Sequence, residues 1–90
     1  MSSVVDNPSK HRFEIRDGED VVGLLEYERK GDALDLVHTE VKRELRNRGF
    51  GDELVRGALD DLRARGERVI PTCPFVAAFI RRHPEYAYRA

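Results

Sequence analysis

The sequence predicts a mixed α/β (α+β) fold. It consists of about four strands in one mixed, mainly antiparallel sheet, a long crossover helix and a short C-terminal helix. Three observations carry this. In the first half, apolar residues fall in strand-like runs separated by the turn pairs Asp17-Gly18 and Gly31-Asp32. After Gly49 the period becomes helical, with Leu54, Val55, Ala58, Leu59 and Leu62 recurring on one side. A short apolar stretch from Arg68 to Cys73 then runs into Pro74 and a second helical pattern.

Taken in order, Met1 to Lys10 are polar apart from Val4 and Val5, and are expected to be a flexible lead-in to a single domain over 11–90. His11 to Arg16 alternate, with Phe13 and Ile15 on one face, and read as a strand. Asp17-Gly18 tolerates positive φ and marks a hairpin. Val21 to Arg29 form a second strand with both faces partly covered. Ala33 to Val41 form the third, with Leu34 and Leu36 expected opposite Val37, Thr39 and Val41.

The helix after Gly49 puts Glu53, Arg56, Asp60, Asp61 and Arg63 on its polar side, and Gly66 suits its C-terminal cap. Gly57 costs such a helix about 1 kcal/mol relative to alanine, so a close approach to the sheet is expected there. Arg68 to Cys73 form the fourth strand. The long helix makes its connection to the third strand a crossover, which requires a parallel pair. Phe75 to Arg82 carry a short helix, started near Pro74 and ended at His83-Pro84.

The chain has 90 residues, 40% of them apolar and 37% charged, with a formal net charge of −1. That is globular composition, and the near-zero balance argues against general nucleic-acid or membrane-surface binding. One cysteine excludes an internal disulfide and a cysteine-based zinc cage. No secretory signal or membrane-length apolar run is visible, so a cytoplasmic protein is expected.

The chemistry concentrates where the third strand leads into the long helix. Arg46-Asn47-Arg48-Gly49-Phe50-Gly51 fits R-x-x-G-x-G. Glycines let backbone N–H groups approach an anion, and the helix dipole adds partial positive charge at the same point. Asp52 and Glu53 would repel a phosphate if they faced it, and are expected to point outward. The bland reading of the loop is a solvated turn with a glycine cap, or a weak polyanion patch.

This loop resembles the acetyl-CoA pyrophosphate loop of the GNAT superfamily of N-acetyltransferases. His38-Thr39-Glu40-Val41, the loop, the Leu54-Val55 and Ala58-Leu59 helix, Val69-Ile70-Pro71 with Cys73-Pro74-Phe75, and His83-Pro84-Glu85-Tyr86 follow in order. Together, from Phe13 to Tyr86, they are similar to the small single-domain Yjdj-type branch. The resemblance implies a compact, truncated GNAT core that uses acetyl-CoA as acyl donor, needs no metal, and acetylates an unknown amine on a protein or small molecule. By the same resemblance Arg46, Arg48, Gly49, Phe50 and Gly51 line the pyrophosphate. Asn47 stands where relatives commonly carry glycine. Backbone from Thr39 to Val41 pairs with the pantetheine arm, between the splayed ends of two parallel strands.

Candidates for chemistry lie at those strand ends. Cys73 precedes a helix start, which favours thiolate, so it reads as an acetyl-accepting nucleophile or a group flanking the acetyl site. It reads equally as a small buried hydrophobe. His38 and Glu40 share a face, a base with a carboxylate to hold its proton, or simply a surface pair. Phe75 reads as core or as lining the pantetheine channel, Arg82 as reaching phosphate or adenine or as a solvated helix end, and His83 as closing over the cofactor or merely ending the second helix. Tyr86 reads as core packing or as part of the substrate mouth. The alternative function is a non-catalytic CoA-binding or interaction module. A nucleic-acid patch of Lys42, Arg43, Arg46 and Arg48 lacks aromatic interleaving.

Overall fold

The computed structural model describes residues 1–89. One five-stranded sheet runs in the order β1 (Ser2–Asn7), β2 (Arg12–Asp17), β3 (Asp20–Lys30), β4 (Ala33–Val41) and β5 (Arg68–Ile70). Neighbours are antiparallel up to β4, and β4 pairs β5 in parallel. Helix α1 (Phe50–Ala64) makes the crossover, and α2 (Pro74–Arg82) follows β5. Among the described residues no helix is long and apolar enough to cross a membrane.

The strand count is five rather than four, because the expected lead-in is itself a strand. Ser2 to Asn7 pair along β2 from Ser2↔Asp17 to Asn7↔Arg12. Its ties are long-range. Val4 packs against the core, and Asp6 accepts hydrogen bonds from Tyr27 Oη (2.6 Å) and Arg65 Nη2 (2.8 Å). Two apolar residues in six give no local pattern that reveals such contacts.

Phe13, Ile15, Val22, Leu25, Leu34, Leu36 and Val69 form the sheet's share of the core, with Leu54, Val55, Ala58, Leu59 and Leu62 from α1 opposite them. From α2, Val76, Phe79 and Ile80 join the same cluster. Gly57 sits where α1 crosses β1: a Cβ there would lie 2.7 Å from Val4 Cβ. Tyr86 also packs into the core, and its hydroxyl donates to Asp60 at 2.7 Å.

Two irregularities shape the end of β4. A bulge leaves Val37 without a partner, since Glu26 pairs His38 while Tyr27 pairs Leu36. Thr39 pairs Leu25, so it shares the core face with Leu36 instead of standing opposite it. Furthermore, β5 stops at Ile70, three residues short of the expected Cys73. Beyond Asp35↔Ile70 the parallel ladder ends, and Cys73 N–H makes a single bond to Leu36 O at 2.8 Å. The far end of β4 is therefore free along the edge that faces the crossover.

Candidate functional site

A groove of 740 Å³ opens where β4 runs past the end of β5 and the chain turns into α1. One wall is β4 itself, through His38, Thr39, Glu40 and Val41. The other comes from the loop and the start of α1, through Leu45, Arg46, Asn47, Gly49, Gly51 and Asp52, with Phe75 of α2 across from them.

The loop is built for bare backbone. A single tight helical turn at Arg43–Leu45 follows β4, and Asn47 and Gly49 then take positive φ of 68° and 85°. Asparagine is among the few side-chain-bearing residues that tolerate this region, so its presence does not distort the loop. Gly49 is the N-cap of α1 and no side chain caps the helix, which leaves its first N–H groups free for a ligand. At Gly51 a Cβ would meet the tip of the exposed Phe75 ring at 2.8 Å, so a larger residue there would push the ring off the helix start.

Charge at this helix end is arranged around the same opening. Glu53 turns away and accepts a 2.6 Å hydrogen bond from Ser2 Oγ. Asp52 does not turn away as expected. It lines the groove, held by Arg82 at 3.2 Å and 3.4 Å. Arg46 lines the groove with its Nε directed to Val41 O at 3.3 Å. Free amides, a helix dipole and an arginine suit a diphosphate group, and Asp52, which would repel it, has its charge offset by Arg82.

Of the residues read from the sequence as cofactor-binding, Thr39, Val41, Arg46, Asn47, Gly49, Gly51 and Phe75 line this one groove. The other residues read as cofactor-binding lie outside the groove wall. Phe50 packs against the core, and Arg48 is exposed. Arg82 reaches the groove only through Asp52. His83 stacks on Phe79 with ring centroids 4.3 Å apart, and its N–H bonds to Phe79 O and Ile80 O close α2. Leu45 and Asp52 carry no motif, so only the three-dimensional arrangement reveals them.

His38 Nε2 lies 2.9 Å from Glu40 Oε1, with both side chains half exposed to solvent. An Nε2–H donated to the carboxylate leaves Nδ1 as the basic nitrogen. Cys73 is buried and is not part of the groove wall, but its Sγ is 3.3 Å from Oγ1 of Thr39, which is. Among the described residues no three His, Cys, Asp or Glu side chains are grouped to hold a metal ion.

Comparison with known proteins gives two findings. The sequence profile of a family described as GCN5-related N-acetyl-transferase matches residues 12–89. The solution structure of a GCN5-like protein from Staphylococcus aureus, described as a candidate N-acetyltransferase, superposes with a TM-score of 0.72 at 20% identity. It covers 97% of this chain and 85% of its own. Among curated proteins none matches the sequence.

Proposed function

The chain belongs to the GCN5-related N-acetyl-transferase family, and from that premise we propose that it binds acetyl-CoA in the 740 Å³ groove and transfers the acetyl group to an amine. The observation that carries this is the uncapped start of α1 at Gly49, opening onto the groove beside the free end of β4. Arg46, Asn47, Gly49 and Gly51 hold the pyrophosphate, assisted by Arg48 from outside the wall. The Thr39–Val41 backbone pairs with the pantetheine arm, and Phe75 flanks it. Arg82 stands by through Asp52 to add charge.

When bound, acetyl-CoA supplies a thioester whose C–S bond is exchanged for a C–N bond to the amine, and the departing sulfur takes up a proton. His38 accepts the proton that the amine sheds, at Nδ1, while Glu40 holds the ring and stabilises the imidazolium. Thr39 and Cys73 stand together where the acetyl carbonyl would lie. There Cys73 either orients the Thr39 hydroxyl or itself accepts the acetyl group. His83, Phe50 and Tyr86 serve by packing.

Isothermal titration with acetyl-CoA tests the reading. Binding that Gly49→Trp abolishes supports it, and no binding at millimolar ligand ends it. His38→Ala should lower kcat about 10²–10⁴-fold with acetyl-CoA affinity within about twofold. Mass spectrometry after incubation with acetyl-CoA shows whether Cys73 carries the group. The rim at His38 is half exposed, which favours one second reading, a CoA-binding module without turnover. Tight binding with no product from a panel of amines would select it.

A further inference from the structure

We propose that a second groove beside the first holds a carboxylate or phosphate carried by the acceptor, so that the substrate class is a primary amine with an anionic group at a distance. This groove, of 590 Å³, shares Glu40, Val41 and Arg46 with the first. Its floor is Val21 to Leu24 of β3. Above the floor stand Arg12, Lys42, Arg43 and Arg46, with Glu40 the one carboxylate of the lining and Glu14 held against Arg12.

Two of those cations are not spent on the fold. Arg12 Nε is held by Glu14 and Arg46 Nε by Val41 O, but among the described residues neither Lys42 nor Arg43 has a side-chain partner. The chain carries 17 acidic residues, and Arg29, Arg65, Arg68 and Arg82 all find one. The backbone that presents the free pair is fixed in place. Lys42 N–H bonds Val22 O at 3.0 Å, Leu45 N–H bonds Lys42 O at 2.9 Å, and Arg46 N–H bonds Arg43 O at 3.3 Å. Two unpaired cations on a fixed backbone beside an apolar floor suit a carboxylate or phosphate.

The shared residues set what else the ligand carries. Glu40, the partner of His38, lines both grooves, so the end of the acceptor near the first groove meets a carboxylate and suits an ammonium. At about 3.3 Å per strand residue, Lys42 is roughly 7 Å along the chain from Glu40 and roughly 13 Å from His38. That separation exceeds the span of a free α-amino acid. It fits a peptide amino terminus followed by acidic residues, or a chain-like amine ending in carboxylate or phosphate. The ammonium end rests on the acetyl-transfer reading, while the anionic end rests on the second groove alone.

Amide shifts of isotope-labelled protein, followed during titration, decide the matter. The probes are Ser-Asp-Glu-Ala, Ser-Lys-Lys-Ala and 6-aminohexanoate, the peptides carrying amidated C-termini. The acidic peptide should move the amides of Val21 to Leu24 and of Lys42 and Arg43 and bind at least tenfold tighter than the basic one. An equal effect from 6-aminohexanoate would assign the site to small amines, and none would assign it to peptides. Lys42→Glu with Arg43→Glu should remove the preference, and Lys42→Gln with Arg43→Gln should weaken it, with the affinities for acetyl-CoA and 3′-dephospho-acetyl-CoA changed to the same degree in each. Equal binding of the two peptides overturns the proposal, as does unchanged preference in the variants. So does a loss of acetyl-CoA affinity that is absent for 3′-dephospho-acetyl-CoA, since the groove would then hold the donor's own phosphate. If acetyl-CoA fails to bind while the acidic peptide still moves these amides, the acetyl-transfer reading falls and the anion groove stands.

Discussion

Glu14 sits in the middle of β2 on the side away from Phe13 and Ile15, yet only 2% of it is exposed. Burial alone would push its carboxyl up. Hydrogen bonds from Arg16 (2.6 Å), Arg12 (2.8 Å) and Asn7 (3.1 Å) outweigh that and hold it down at about 2. The unfolded chain binds this proton near the ordinary 4.5. The stabilisation is therefore complete above about pH 4.5 and is lost as pH falls towards 2. Glu14→Gln should cost about 1–3 kcal/mol at neutral pH, by leaving charged donors without an ionised acceptor. It should also flatten the decline in melting temperature between pH 4.5 and pH 2. An unchanged decline in the variant would place the acid sensitivity elsewhere. Nothing in the local sequence Arg12-Phe13-Glu14-Ile15-Arg16 distinguishes this buried anion from an ordinary solvated face, because alternation reports which side a residue takes and not what lies over it.

The contact between α1 and β1 is close, and it turns on one missing atom. Gly57→Ala should gain about 1 kcal/mol of helix propensity. The new methyl would, however, stand 2.7 Å from both Cβ and Cγ2 of Val4. The helix or the strand must shift, at a cost of about 1–3 kcal/mol. A lowered unfolding midpoint in urea is the expected result. Adding Val4→Ala should not restore it, because the Cβ that the new methyl meets is retained. A raised midpoint for Gly57→Ala would mean that β1 yields freely. This close approach was legible in the sequence, since a glycine inside a strong helical pattern needs a reason. Its partner was not legible, since β1 gains its place from Asp6, Tyr27 and Arg65, which are distant in sequence. The same division holds at the site. Gly49, Gly51 and Arg46 are readable because backbone exposure and charge are local properties. The bulge at Val37, the early end of β5 and the engagement of Asp52 by Arg82 depend on register and packing between elements.

At the scale of the whole molecule, a net charge of −1 conceals an uneven distribution, because Lys42, Arg43 and Arg48 stand unpaired in one short stretch among the described residues. Binding of a polyanionic ligand there should weaken steadily with ionic strength, losing about tenfold or more in affinity between low and high salt. Titration at two salt concentrations checks this, and a salt-independent affinity would remove the loop from the ligand's path. The opposite border of the sheet is a question of cohesion. β1 covers the outer side of β2 along its whole length, ties Asp6 to Tyr27 and Arg65, and seats Val4 on α1. A domain of this size holds only about 5–15 kcal/mol in all. The Tyr27 hydrogen bond to Asp6 contributes about 1.5–3 kcal/mol, the partly exposed Arg65 pair about 0–1 kcal/mol, and the burial of Val4 a further 1–2 kcal/mol. Removing residues 1–7 should therefore consume a large part of the total and uncover the ladder groups of β2 as a free edge. The shortened chain should melt well below the full one and self-associate with rising concentration, as size-exclusion chromatography would show. If it stayed monomeric with an unchanged melting temperature, β1 would be a passenger on the sheet and not one of its walls.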